Sequence, residues 1–149
     1  MKWYFASRIR HKDTLQKVAE IIRRHGHELA FDWAILPSLK PYSENSEACQ
    51  QLAGKISEAI ISTDIFVLIS DAAGTDMFLE TGLALAAKAK GHHLSIYNVG
   101  PYNQRSLMQF HPDLTPVNSL AEIFKIHLPE AESEISEIDK LLKENFQSE

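Results

Sequence analysis

The feature that most constrains this fold is the run Asp64-Ile65-Phe66-Val67-Leu68-Ile69-Ser70, an unbroken apolar stretch of strand-forming residues between two polar ones. A strand wetted on one face alternates apolar and polar side chains. One that does not alternate is covered on both faces, as in the middle of a parallel sheet flanked by helices. The flanking segments fit that frame. Trp3 to Ala6 is a short aromatic strand. A helix follows, with Asp13 as the expected N-cap, Leu15, Val18, Ala19 and Ile22 as one apolar stripe, and Gly26 as its stop. Glu28 to Trp33 reads as a second strand. Pro37 and Pro41 mark a loop leading to a helix from Asn45 to about Ser62, with Cys49, Leu52, Ile56 and Ile60 on one face. Beyond the central strand come a tight loop from Asp71 to Asp76, a helix from Met77 to about Lys90, and a strand from His93 to Asn98. An irregular stretch from Val99 to Pro112, a short strand at Leu114 to Val117 and a helix at Leu120 to Ile126 complete the alternation.

Strands alternating with helices predict an α/β fold: a doubly wound, flavodoxin-like three-layer αβα sandwich with a mostly parallel five-stranded sheet. The 149 residues suffice for one hydrophobic core. Residues 1–128 are the expected domain. Residues 129–149 read as a charged amphipathic helix whose Ile135, Ile138, Leu142 and Phe146 pack on the domain or on a second subunit. No apolar stretch is long enough to span a membrane. The opening MKWYFASRIR enters strand-like sequence without an apolar leader, so a cytoplasmic location is expected. A net charge of −5 with scattered Lys and Arg argues against a polynucleotide partner. The single cysteine, Cys49, excludes an internal disulfide and reads as a small core residue, and no Cys/His spacing points to a metal.

In a doubly wound sheet, ligands bind beyond the carboxyl ends of the strands, where the strand order reverses. That rule selects four loops: Ser7 to Lys12, Asp32 to Tyr42, Ser70 to Asp76 and Asn98 to His111. The helix after the third loop is the most informative. From Met77 to Ala87 every residue is apolar or small except Glu80 and Thr81, which predicts a buried helix with Glu80 buried or at the lip of a cavity. A carboxylate there must be paired or hydrogen-bonded. Asp71 ends the strand, and Asp76, the expected N-cap, shares a face with Glu80. Paired carboxylates at one site are the equipment of glycosyl transfer, one as nucleophile and one as acid/base.

The segment Gly74-Thr75-Asp76-Met77-Phe78-Leu79-Glu80-Thr81-Gly82-Leu83-Ala84 resembles the nucleoside 2-deoxyribosyltransferase superfamily, including the deoxynucleoside 5′-monophosphate N-glycosidases. Those proteins place a small-residue loop and E-x-G-x-A after the third strand, which here opens at Asp64 at the family's spacing. The N-terminal Tyr4-Phe5-Ala6-Ser7-Arg8-Ile9-Arg10 is similar to the nucleotide-hydrolysing branch, where an Ile-Arg pair lies close to the 5′-phosphate. The similarity runs from about Lys2 to Asn98.

The resemblance implies that Glu80 attacks C1′ of the sugar and forms a glycosyl–enzyme ester while the base leaves. It implies a hydrogen bond from Tyr4 beside the nucleophile, a base pocket lined by Asp32 or Trp33, a phosphate held by Arg10, and Ser7, Gly74 and Thr75 in the substrate loops. Asn98, in the stretch Tyr97 to Asn103, is a further substrate-binding candidate. Ile56 stands where the family often carries an Asp, which leaves Asp71 or Asp76 as the candidate acid. The expected substrate is a small nucleoside or nucleotide, with no cofactor and no metal, and the expected assembly a homodimer or larger. Two other readings fit the same fold: a nucleotide-binding sensor without turnover, and a relative of the TIR-like domains that cleave NAD. A redox flavodoxin is disfavoured because the first strand lacks the Ser/Thr-rich phosphate loop.

Overall fold

The computed structural model describes residues 1–148; Glu149, the last residue of the expected C-terminal helix, lies outside the described residues. The strands are β1 (Lys2–Ala6), β2 (Glu28–Leu29), β3 (Ile65–Ile69), β4 (Ser95–Val99) and β5 (Leu114–Val117). The helices are α1 (Lys12–Arg24), α2 (Ser46–Ile61), α3 (Asp76–Ala89), α4 (Leu120–His127) and α5 (Glu132–Gln147). The strands form one sheet in the order β2-β1-β3-β4-β5, every pair parallel. The order reverses between β1 and β3, so the loops leaving those two strands flank the expected binding crevice.

All five residues of β3 are buried, as its unbroken apolar run predicts. Alternate side chains feed two cores. Trp3, Phe5, Ile65, Val67 and Ile69 pack with residues of α1, α4 and α5. Tyr4, Ala6, Phe66 and Leu68 pack with residues of α2 and α3. Each large side chain removed from water contributes roughly 1.5–3 kcal/mol. Pro116 sits in β5, an edge strand, where a missing N–H is tolerated.

Several elements depart from expectation. The second strand spans only Glu28–Leu29 rather than continuing to Trp33. The Ala30 N–H extends the ladder to the Trp3 carbonyl, after which Trp33 turns into a 3-10 helix and its indole N–H donates to the Phe5 carbonyl at 2.7 Å. Asp13 is a first-turn residue of α1, whose N-cap is His11. Likewise Asp76 is the first residue of α3 and Thr75 its N-cap. The apolar helix α3 is buried on one side only: Leu79 is 71% exposed and Leu83 37%. On α2, Ile60 is fully buried but Cys49 and Leu52 are only partly covered.

The apolar face of α5 packs on its own domain, with Ile135, Ile138 and Leu142 buried in the α1 and α4 core. Asp139 joins α5 to α4 by accepting hydrogen bonds from the Leu120 and Ala121 N–H groups, at 2.8 and 3.0 Å. These are otherwise unpaired donors of the first turn of α4. Asp139→Ala is expected to lower stability by about 1–2 kcal/mol, read as a shift of the urea midpoint at unchanged slope; an unchanged midpoint would refute this role.

Candidate active site

Tyr4 is fully buried on β1, its ring stacked on Phe66 with centroids 5.6 Å apart. Its hydroxyl donates to Oε2 of Glu80 at 3.0 Å, joining β1 to α3 across the reversal point. Burial, and next the charge and hydrogen bond of Glu80, push the Tyr4 phenol far up, so it keeps its proton and acts as the donor. Burial also raises Glu80, to about 7, against the Tyr4 hydrogen bond, while the Asp76 charge raises it further. At neutral pH this carboxyl therefore divides between its two forms. Perturbation of this kind is common at functional sites.

Asp71 has a different environment. It is fully buried and accepts from Arg10 Nε at 2.8 Å, Arg10 Nη2 at 2.9 Å and Arg8 Nη1 at 3.2 Å. It also accepts from the Ala72 N–H at 2.7 Å and meets His11 Nε2 at 2.8 Å. Burial alone would raise its carboxyl, but the bonds from His11, Arg10 and Ala72, with the Arg10 charge, hold it below the usual range. An acid held so firmly in its ionised form has no proton to give at neutral pH. His11 is fully buried, and burial lowers it against the Asp71 bond, so its imidazole is neutral. The Asp71 carboxylate can only accept, which places the imidazole proton on Nε2.

The loop between Asp71 and Glu80 is gripped from two sides. Gly74 has φ +97°, and a Cβ on it would lie 2.9 Å from Cγ of Arg8, so only glycine suits both the backbone and the passing side chain. Opposite, the Arg105 guanidinium donates to the carbonyls of Ala72 and Gly74 and lies 4.8 Å from the Phe78 ring centroid. Gly74→Ala is expected to cost about 1–2 kcal/mol through strain at positive φ and to displace Arg8. Denaturant unfolding checks this, and a variant as stable as the parent would contradict it.

The other expected site residues separate. Asp76 is exposed at the start of α3, near enough for its charge to act on both Glu80 and Tyr42. Thr75 is exposed, and the Ser7 hydroxyl donates to the Arg8 carbonyl at 3.0 Å. Asp32 pairs with Arg23, and with Trp33 it lines a small cleft beside Phe5, Leu15 and Leu29, on the face of the sheet opposite Tyr4. Asn98 is fully buried and donates to the Asn103 carbonyl at 3.2 Å, while Asn103 donates to the carbonyls of Asn98 and Val117. Both amides brace the β4–β5 loop from within. Asp64 accepts from the Lys2 N–H at 2.7 Å, at the amino end of the sheet and away from Glu80.

Arg8, His11 and Arg105 are the additions that the fold supplies. Arg8 lies beside the expected Arg10 in sequence, so a pair of basic residues on a strand-exit loop was a usable signal. His11 and Arg105 carry none, because each depends on a long-range partner. Compared with protein-family models, curated proteins and solved structures, the chain matches none of them.

Proposed function

We propose that this protein cleaves or transfers at the N-glycosidic bond of a nucleoside or nucleoside 5′-monophosphate, with Glu80 as nucleophile. The observation that carries this reading is the 3.0 Å hydrogen bond from buried Tyr4 to Oε2 of Glu80. It fixes the carboxylate and leaves Oε1 as the attacking oxygen. Oε1 attacks C1′, the C1′–N bond breaks, and its electron pair departs with the base, which takes up a proton. Water or a second base then attacks C1′ of the glycosyl ester and releases Glu80. Asp76 is assigned the proton transfer to the base, because Asp71 is committed to Arg8, Arg10 and His11. Arg10 is assigned the phosphate, and Arg8, Ser7, Gly74 and Thr75 the surrounding loops.

Incubation with nucleosides, 5′-monophosphates and NAD, followed by chromatography for free base, tests the assignment. Base released from a nucleoside or monophosphate supports it. Base released from NAD alone moves the protein to NAD glycohydrolase chemistry. Binding without release favours the second reading, a nucleotide sensor. The apolar Ile56, packed toward the core where the family often carries an Asp, favours that reading over turnover.

The reading includes a homodimer or larger assembly, supported by the outward apolar residues Leu79 and Leu83 of α3. Among the described residues no helix is long and apolar enough to cross a membrane. Sedimentation is expected to give more than one subunit, and Leu79→Lys with Leu83→Lys is expected to give a monomer. A monomeric parent protein would remove the assembly from the reading.

A further inference from the structure

The bond from Tyr4 to Glu80 joins a strand to a helix, so it holds only while the start of α3 keeps its place against the sheet. That start is weakly fixed from within. Met77 is buried, but the N-cap Thr75 makes no side-chain capping bond, and uncapped helix ends fray. The added restraint comes from the loop between β4 and β5. Arg105 donates from Nη1 to the Ala72 carbonyl at 2.5 Å and from Nη2 to the Gly74 carbonyl at 3.3 Å. Its guanidinium carbon lies 4.8 Å from the Phe78 ring centroid, in the first turn of α3. The loop it reaches from is itself braced. Asn103 accepts from the Ser70 hydroxyl at 2.8 Å, and the Gln109 amide holds the Ser106 N–H and the Tyr102 carbonyl, both at 2.8 Å.

We propose that Arg105 is a positioning residue for Glu80, fixing the start of α3 so that the carboxylate meets Tyr4. The two carbonyls set where the loop enters the helix. The Phe78 contact sets the rotation of the helix, because a cation–π pair is lost when the ring turns away. Phe78 and Glu80 stand two positions apart, roughly 200° around the axis. A rotation that carries Phe78 off the guanidinium therefore carries Glu80 off Tyr4 as well. Arg105 is exposed and adds nothing to either core, so its loss acts on this turn more than on the fold as a whole. The planar fork matters, since an ammonium cannot hold two carbonyls and face a ring at once. The consequence for base release rests on the glycosidic reading, whereas the placement of Glu80 does not.

Titration of the Glu80 carboxyl by carbon NMR in the full chain tests the proposal without any substrate, the resonance being the one that Glu80→Gln removes. In the parent protein burial holds this carboxyl at about 7. In Arg105→Ala the loosened turn admits water, and the carboxyl is expected to titrate nearer its ordinary value of 4.5 while the protein melts close to the parent. Arg105→Lys keeps the charge without the fork and is expected to move the titration in the same direction; it carries the test if Arg105→Ala fails to fold. In base release from a nucleoside or its monophosphate, both variants are expected to lower kcat about tenfold with KM nearly unchanged, as misplacement of a reacting group does. An unmoved Glu80 titration in a folded variant, a raised KM at unchanged kcat, or Arg105→Lys matching the parent protein would each overturn the proposal. Base release with an unmoved titration would sink this inference alone. A moved titration without base release from any substrate would sink the glycosidic reading alone.

Discussion

Glu80→Gln is expected to lower base release by about a thousandfold or more, because the amide keeps the acceptor for Tyr4 but supplies no nucleophile. In the parent protein the same group sets a pH dependence. The attacking form is the carboxylate, and burial raises its carboxyl to about 7, so the rate should climb as pH rises through that value. Stability should move the opposite way. Below about pH 4.5 folded and unfolded chains both carry the proton, and the substitution changes little. Between the ordinary value of 4.5 and about 7 the folded chain binds more protons, so stability falls as pH rises. The full shift corresponds to about 3 kcal/mol, and the partial exposure of Glu80 reduces it to about 2 kcal/mol. Glu80→Gln should therefore melt higher than the parent protein at pH 8 and nearly with it at pH 4.5. Equal melting at both pH values, or a rate independent of pH across 6 to 8, would remove the burial argument (roughly one unit either side of the shifted value).

Asp71→Ala is expected to have the largest effect on folding. It would leave two guanidinium groups crowded without their shared carboxylate and would strip the buried His11 of its partner. Removing one partner from a buried ionic network costs about 3–5 kcal/mol, a large share of a typical domain's stability of about 5–15 kcal/mol. The pH dependence follows from the depressed carboxyl. Its contribution is complete above the ordinary carboxylate range and is lost as pH falls through its lowered folded value. His11 acts in the same direction, since its folded form resists the proton that the unfolded chain accepts below about pH 6.5. Urea unfolding at pH 7 and pH 4 should show Asp71→Ala destabilised at both, because pH 4 still lies above the lowered Asp71 carboxyl, whose contribution is lost only below it. A midpoint equal to the parent protein's at pH 7 would show that Asp71 does not hold the β1 and β3 loops together.

The parts of this molecule legible in sequence are those that depend on neighbours along the chain. The central strand was legible because no polar residue interrupts Ile65 to Ile69, and its burial is complete. The placement of Glu80 one turn into the helix after that strand followed from the same alternation. The short β2 was not legible. Its end is set by Trp33, whose indole reaches the Phe5 carbonyl, a contact that periodicity cannot encode. Asp71 and Asp76 looked equivalent as acids in sequence. Only the fold distinguishes them, because Arg8, Arg10 and His11 converge on Asp71 from another strand exit. The apolar helix α3 was read as buried all round, yet the sheet covers one side, leaving Leu79 and Leu83 outside. The amphipathic pattern of α5 revealed a packing face. It did not reveal that the final aromatic of that face, Phe146, packs at the edge of the core with Arg10 beside its ring.

The central claim is that Glu80 forms a covalent bond to the sugar, and trapping that bond tests it most directly. Fluorine at the sugar 2-position slows both formation and breakdown of the glycosyl ester, so a substrate that also carries a good leaving group forms the ester faster than water removes it and the adduct accumulates. Mass spectrometry of the digested protein should then show the added sugar on the peptide that contains Glu80, and no addition in Glu80→Gln. Base release with an unmodified protein, or with the sugar on any other residue, would contradict the account.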